Sequence, residues 1–161
     1  MKKYELIIND FIEIDGTKVY RIKAIIDFSN IKVGDLGGYI EKESNLDHYD
    51  NAWVYGDAWV YGDARVYDNA SVSVYARVYG NAMVYDNASV SGYASVYDNA
   101  RVYDNASVSG YASVYGNASV YGDASVYGDA WVYGDASVYG NAMVYGDARV
   151  SGYVKDIKEK K

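Results

Sequence analysis

The chain contains no cysteine and no proline, and each absence narrows what the protein can be. Without cysteine there is neither a disulfide framework nor a thiolate that could act as a nucleophile. Without proline every residue keeps its backbone N–H donor, as a continuous β-sheet requires. No apolar run reaches the roughly 18 residues of a membrane-spanning helix. The apolar stretch near the start is broken by Asn9 and Asp10, so we predict no signal peptide and a cytoplasmic protein.

Lysine and glutamate are both absent between residues 49 and 150. That segment holds eleven Asp and four Arg, whereas the acidic and basic residues outside it balance. The formal net charge of −7 therefore lies on this segment alone. An acidic surface repels nucleic acid, so we expect no direct nucleic-acid binding.

A six-residue repeat, Tyr-Gly/Asp-Asp/Asn-Ala-x-Val, occupies the same segment without an insertion or deletion. All 17 hexads carry Ala at the fourth place and Val at the sixth, and 14 carry Tyr at the first. Alternate residues of an extended chain face opposite ways, so Ala and Val should point inward and x and Tyr outward. Gly, Asp and Asn tolerate positive φ, so the pair after Tyr predicts a corner.

Two variants of the hexad recur at every third hexad, which indicates three hexads per coil. They begin at Tyr49, Tyr67, Tyr85 and Tyr103 (Tyr-Asp-Asn-Ala, with an additional copy at Tyr97) and at Ser73, Ser91 and Ser109 (Ser-x-Tyr-Ala). The predicted fold is therefore all-β, a three-sided parallel β-helix with Val and Ala columns inside. In other words, it is a β-solenoid with 18 residues per coil.

The two ends are predicted to differ. Residues 1–36 form a capping segment, in which Asp15-Gly16 indicates the tight turn of a β-hairpin. Residues 37–154 form the solenoid, whose first coil begins near Gly37 and places Ile40 at an Ala place. Residues 155–161 form a charged tail whose lysines should discourage strand addition. Because so short a tail leaves the C-terminal end partly open, we predict a homodimer through that end.

The hexads resemble those of the left-handed parallel β-helix proteins, in which an aliphatic residue opens the hexad and a small residue follows four places later. Val-Tyr-Gly-Asp-Ala-Ser fits that pattern except for Tyr, which stands where the family has a small residue. The resemblance implies left-handed coils. Residues 14–24 and 34–41 resemble the leader of hexapeptide-repeat proteins encoded by bacteriophages and prophages, which implies a viral or prophage origin and the host-cell cytoplasm.

Many members of that β-helix family are acyltransferases, which carry a catalytic His and loops that leave the coils. This chain has one His, His48, at an inward-type place, and no loop interrupts the hexads. A cleft beside His48 with a nearby carboxylate would favour catalysis. We predict that the chain is not an enzyme and binds no cofactor, with an acyltransferase relative as an alternative.

Aspartates three hexads apart should form a column at one corner, beside a column of Asn. Their oxygens in register could hold Ca²⁺. Asp and Asn are also good corner residues without a metal, so we predict no metal site.

The outward aromatic rows lead to the functional prediction. We expect an interaction scaffold that binds a host or viral protein through its Tyr, Asp and Ser walls. An acidic DNA mimic that inhibits a DNA-handling protein is the alternative. The candidate binding residues are Tyr75, Tyr93, Tyr111, Trp53, Trp59, Trp131, Asp50, Asp68, Asp86 and Asp104.

Overall fold

A computed structural model describes residues 1–156 in full and the backbone of residues 158–160. Each repeat strand inside the rod pairs in parallel with the strands three hexads before and after it; Val102, for example, lies between Val84 and Val120. The strands form three sheets, one on each side of the coil. The predicted three-sided parallel β-helix is confirmed, and the strand order is consistent with left-handed coiling.

The first sheet has nine strands, of which the first two are antiparallel and belong to the cap. Their bounds, in the order in which they pair, are β1 (Tyr4–Ile14), β2 (Thr17–Ala24), β3 (Leu36–Ile40), β5 (Trp59–Val60), β8 (Arg77–Val78), β11 (Ser95–Val96), β14 (Ser113–Val114), β17 (Trp131–Val132) and β20 (Arg149–Val150).

The second sheet has seven strands and the third has six. From the cap end, the second sheet comprises β4 (Trp53–Val54), β7 (Ser71–Val72), β10 (Ser89–Val90), β13 (Ser107–Val108), β16 (Ser125–Val126), β19 (Met143–Tyr145) and β22 (Lys158–Lys160). The third comprises β6 (Arg65–Val66), β9 (Met83–Val84), β12 (Arg101–Val102), β15 (Ser119–Val120), β18 (Ser137–Tyr139) and β21 (Tyr153–Lys155). The helical segment among the described residues is a 3-10 turn at Glu43–Asn45, and no described helix could cross a membrane.

Each hexad folds as predicted, because its residue types match the backbone that each place needs. The second place lies in the left-handed region, for example at φ +60° in Gly56 and +57° in Asp68. Glycine adopts that region freely, and Asp enters it more readily than most residues. The Val and Ala columns are buried along the rod, and each buried Val contributes roughly 1.5–3 kcal/mol.

First-place tyrosines stack on one another from coil to coil along the outside. In the column of Tyr67, Tyr85, Tyr103, Tyr121 and Tyr139, ring centroids lie 4.8–5.1 Å apart with nearly parallel planes. These rings are partly buried rather than fully exposed. The stacks therefore stabilise the sheets from outside, at roughly 0.5–1.5 kcal/mol per pair.

The N-terminal segment closes the first coil. The predicted hairpin is confirmed; it turns at Asp15 and Gly16, at φ +51° and +83°. The Lys3 ammonium is buried and donates to the backbone oxygen of Ala52 at 2.7 Å. The Tyr4 hydroxyl donates to the backbone oxygen of Leu46 at 2.6 Å. The cap thus donates hydrogen bonds to backbone carbonyls that have no strand partner at the end of the first coil.

The predicted phase of the first coil is wrong by two residues. Ile40 pairs with Val60, so it occupies a Val place and not the predicted Ala place. Gly38 takes the Ala place, where an added Cβ would lie 2.6 Å from the Ala58 backbone oxygen. The cause lies between Leu46 and Val54, where the chain holds two residues more than one hexad allows.

Residues 158–160 pair with β19 and form the edge of the second sheet. The side chains of the predicted charged tail from residue 157 onward lie outside the described residues. The homodimer through this end stays a prediction.

Candidate functional site

Six corners are stacked where the chain passes from the second sheet to the first. Their third places form one column, and in the first five corners the backbone N–H donates to the coil above; Tyr75 donates to Gly92 at 2.9 Å and Tyr93 to Gly110 at 2.8 Å. From the cap upward, the column reads Asp57, Tyr75, Tyr93, Tyr111, Asp129, Asp147. We call Tyr75, Tyr93 and Tyr111 the tyrosine edge.

The rings of the tyrosine edge are stacked and exposed at the same time. Centroids are 5.1 Å apart between Tyr75 and Tyr93 and 5.0 Å apart between Tyr93 and Tyr111. Their exposed fractions are 49%, 48% and 62%. Because the faces pack against each other, the edge presents mainly ring rims and hydroxyls. It is a strip of ring rims, not a row of flat platforms.

A local exchange of residues produces this edge. Three hexads carry Ser at the first place and Tyr at the third. A first-place ring at the same corner, Tyr127, is 36% exposed, whereas third-place Tyr111 is 62% exposed. Moving the ring two residues onward therefore carries it from the side of the sheet to the corner.

Val74 lies at the start of the tyrosine edge and was missed by sequence reasoning. It is the one second-place residue of the 17 hexads that is neither Gly nor Asp. Its φ is +65°, a conformation that strongly disfavours β-branched residues. Its side chain is 47% exposed. The signal was present in the sequence, as a valine at a corner place that otherwise holds glycine or aspartate.

Two shallow hollows flank Val74 and Tyr75. The one towards the first sheet is lined by Asp57, Trp59, Tyr75, Arg77 and Tyr93. The one towards the second sheet is lined by Asn30, Tyr55, Gly56, Ser71, Ser73 and Val74. The predicted binding residue Trp59 therefore lies beside the tyrosine edge.

The other two predicted tryptophans lie elsewhere. Trp53 is 1% exposed, so its assignment to a binding surface is wrong. The cap covers it, since the Phe28 and Tyr4 rings pack edge-on at 5.3 and 6.2 Å. Trp131 is 39% exposed, but it lies further along the rod, where the Arg149 guanidinium packs 3.8 Å from its ring centroid.

The predicted aspartate column lies at a different corner, where the third sheet passes to the second. Asp68 Oδ2 accepts from the backbone N–H of Asp86, and Asp86 Oδ2 from that of Asp104, both at 3.3 Å. Asp50 lies one coil below at φ +55°. Beside it, an amide ladder joins Asn51, Asn69, Asn87, Asn105 and Asp123. In the part of the chain that the structure describes, no three acidic or His side chains are grouped to hold a metal ion.

His48 lies at a cleft with a carboxylate beside it, the arrangement that would favour catalysis. Its Nε2 lies 2.8 Å from Glu43 Oε1, and its ring stacks on Tyr4. Hydrogen bonds from His48 and Lys2 lower the pKa of Glu43. However, His48 Nδ1 accepts the backbone N–H of Lys3 at 3.2 Å. With Nδ1 accepting and Nε2 donating, the neutral ring has no lone pair free to take a proton from a substrate.

The parallel sheets and the three-hexad coils define this chain as a repeat β-helix protein. Its repeats are similar to a family described as the YdcK beta solenoid repeat, whose model matches residues 58–73, 76–92, 94–110 and 136–152. Those four stretches together cover less than half of the chain. No curated protein matches the chain.

Proposed function

We propose that the protein is a non-enzymatic interaction scaffold that binds a protein partner through the tyrosine edge. The observation that carries this proposal is three stacked tyrosines, each about half exposed, at one corner of the rod. Tyrosine is enriched at protein interfaces because it offers a large apolar area with a polar tip. Monomeric proteins rarely expose contiguous apolar patches larger than roughly a few hundred Å², and such patches are often binding sites.

The rod also prepares this surface for binding. Each ring of the tyrosine edge is held by its neighbour in a stack, and the backbone beneath is bonded from coil to coil. Immobilising a free side chain on binding costs roughly 0.5–1.5 kcal/mol of rotamer entropy, and a side chain that is already fixed avoids much of that cost. Preorganisation of this kind favours affinity from a small contact area.

A pull-down with matched variants tests the proposal. The tagged full chain is incubated with a bacterial lysate at low and at moderate salt, and bound proteins are identified by mass spectrometry. The edge variant Tyr75→Ser/Tyr93→Ser/Tyr111→Ser is compared with Tyr85→Ser/Tyr103→Ser/Tyr121→Ser, which removes three stacked rings from another column. We expect one stoichiometric protein on the wild type and the control, and its loss from the edge variant. Equal recovery on the edge variant would contradict the proposal.

An acidic DNA mimic is the second candidate, and the aspartate column supports it. Asp50, Asp68, Asp86 and Asp104 line one groove along the rod, which carries the whole net charge of −7. A partner recognised in this way would be a DNA-handling protein that dissociates as salt rises. Asp86→Asn/Asp104→Asn should then reduce its recovery, whereas the edge variant should not.

We also propose a bacteriophage or prophage origin, and with it the cytoplasm of the host cell. The support is the likeness of residues 14–24 and 34–41 to the leaders of such hexapeptide-repeat proteins. A homodimer through the C-terminal end is a further proposal. Its support is that β20, β21 and β22 have no strand above them in the described part of the chain. A monomer mass by light scattering at high protein concentration would contradict the dimer.

A further inference from the structure

We infer that the outer face of the first sheet, which the tyrosine edge borders, binds the same face of a second copy of the chain, with the two rods antiparallel. The partner in this contact is another molecule of the same protein, which goes beyond the proposed function. Two observations support it: the residue types that this face brings together, and the order in which they follow one another along the rod.

The outer face of the first sheet carries both of the tryptophans that are partly exposed, Trp59 and Trp131. The tyrosine edge borders it on one side. On the other side lies a column of first-place tyrosines whose rings stack at 4.9–5.6 Å, namely Tyr61, Tyr79, Tyr97, Tyr115 and Tyr133. At mid-face Ser95 is only 6% exposed, so the side chains around it form the surface there. Trp, Tyr and Arg are the residue types enriched at the energetic centres of protein interfaces.

The central column of this face is complementary to itself when one copy is turned end over end. Strand pairing fixes its order from the cap upward as Trp59, Arg77, Ser95, Ser113, Trp131 and Arg149. A two-fold axis through the middle of the column, in the plane of the face and perpendicular to the rod, places Trp59 opposite Arg149 of the second copy. The same axis places Arg77 opposite Trp131 of the second copy. Every tryptophan of the column therefore meets an arginine.

Arginine opposite tryptophan is a favourable contact, because a guanidinium is attracted to the face of an aromatic ring. The face already forms this contact within one copy, where the Arg149 guanidinium carbon lies 3.8 Å from the centroid of the Trp131 ring. Arg77 is exposed and, within the described residues, forms no ion pair. Parallel rods would instead place Arg77 opposite Arg77 of the second copy, and facing like charges repel. The antiparallel arrangement is therefore favoured.

The aspartates of the corner column are compatible with this arrangement. The axis brings each column opposite the same column of the second copy, so Tyr75 faces Asp129 of the second copy. That carboxylate can accept a hydrogen bond from the tyrosine hydroxyl. Asp147 faces Asp57 of the second copy, whose carboxylate lies 3.4 Å from the Arg21 guanidinium. The Arg21 charge offsets the repulsion between the two aspartates.

The size of the face indicates a weak dimer. The tyrosine columns lie four residues apart along each strand, and the face spans six coils. At ~3.3 Å per residue and ~4.8 Å per coil, it measures roughly 13 Å by 24 Å. Two such faces bury less than the roughly 1,600 Å² of a standard interface. We therefore expect a dissociation constant of roughly 1 μM to 1 mM.

Sedimentation velocity of the purified full chain over a concentration series tests the dimer. Wild type is compared with Arg77→Ala and with Arg101→Ala, which removes an exposed arginine from the same outward place on the third sheet. Arg77→Ala removes two symmetry-related contacts with tryptophan, which corresponds to roughly a five- to thirtyfold weaker dimer. We expect that weakening in Arg77→Ala and none in Arg101→Ala. A wild type that stays monomeric up to roughly 1 mM, or Arg77→Ala dimerising as tightly as the wild type or more tightly, would overturn the inference.

Cross-linking tests the orientation, and the chain is suited to it because it contains no cysteine. In the antiparallel dimer Tyr61 faces Ser151 of the second copy across roughly 10 Å, whereas the two copies of Tyr61 lie five coils, or roughly 24 Å, apart. An equal mixture of Tyr61→Cys and Ser151→Cys, treated with a short bismaleimide, should yield cross-linked dimers, and neither variant alone should do so. Cross-linking of Tyr61→Cys to itself, or of Ser151→Cys to itself through the C-terminal end, without cross-links specific to the mixture, would contradict the antiparallel contact.

The outcomes also separate self-association from the proposed function. If the wild type captures a protein from the lysate but sediments as a monomer, the scaffold stands and the dimer is wrong. If it dimerises as described and captures nothing from the lysate, the dimer stands and the proposed function fails.

Discussion

Replacing Val102 by Asp at mid-rod should unfold the protein at neutral pH. Val102 is fully buried between Val84 and Val120. The substitution removes roughly 1.5–3 kcal/mol of apolar burial. A buried carboxyl has its pKa raised by up to 3–5 units, and each unit corresponds to about 1.4 kcal/mol, so charging it adds roughly 4–7 kcal/mol. The total is comparable to the whole stability of a typical domain, about 5–15 kcal/mol.

The same reasoning predicts a pH dependence. In the folded variant the pKa of the introduced carboxyl would lie above the unfolded value of about 3.9, so the folded state would bind the extra proton. The penalty is therefore absent below about pH 3.9 and grows as the pH rises. Circular dichroism melts at pH 7 and near pH 4, each compared with the wild type, should show an unfolded variant that partly recovers in acid.

The adjacent residue supplies the control. Arg101 precedes Val102 on the same strand and its side chain is exposed. Arg101→Asp introduces the same carboxylate on the outside of the coil, and its melting temperature should stay within a few degrees of the wild type. If Val102→Asp melts like the wild type at pH 7, the inward assignment of the Val column is refuted.

Three further predictions concern the aromatic residues. Tyr103→Ala should lower the free energy of unfolding by about 1–3 kcal/mol, because the Tyr103 ring stacks on Tyr85 at 5.0 Å and on Tyr121 at 4.9 Å. Chemical denaturation measures this loss, and a loss as large as that of Val102→Asp would contradict the prediction. Trp53→Ala should lower the free energy of unfolding by roughly 3–5 kcal/mol because the ring is buried under the cap, whereas Trp131→Ala should lower it much less because the Trp131 ring is partly exposed. Similar losses in the two variants would show that the cap does not cover Trp53. Burial raises the pKa of Tyr67, Tyr85 and Tyr103, three neighbours in one stacked column. The folded state therefore keeps those protons to a higher pH than the unfolded state, so the free energy of unfolding should fall as the pH rises above about 10. Thermal melts recorded together with tyrosinate absorbance test this, and a constant stability above that pH would refute it.

The rod could be predicted from the sequence because its signals are local and repeated. Val102 and its equivalents lie at one fixed place in every hexad, and two variants recur at every third hexad. Together they specify which residues face inward and how many hexads make a coil. The positive φ at the second place follows from Gly and Asp alone.

The two errors have different causes, a long-range contact in one case and an insertion outside the repeat in the other. Trp53 occupies the same outward place as Trp59, and packing by the Phe28 and Tyr4 rings of the cap makes it buried. Ile40 is displaced in phase by two residues inserted after Leu46, where no repeat pattern is left to reveal them. Val74 is different, because its anomaly is visible in the sequence as soon as the second place is known to need a positive φ.

The fixed pairing of each strand with the strands one coil away makes the position of the tyrosine edge adjustable in steps. Duplicating one whole coil between the cap and Tyr75 would leave the edge on the same corner and move it roughly 4.8 Å further from the cap. Duplicating a single hexad there would instead turn the edge to the next corner of the triangle. Each added hexad would therefore turn the edge by one corner and raise it by a third of a coil, and every third hexad would restore the original direction, while every inward residue stayed the same.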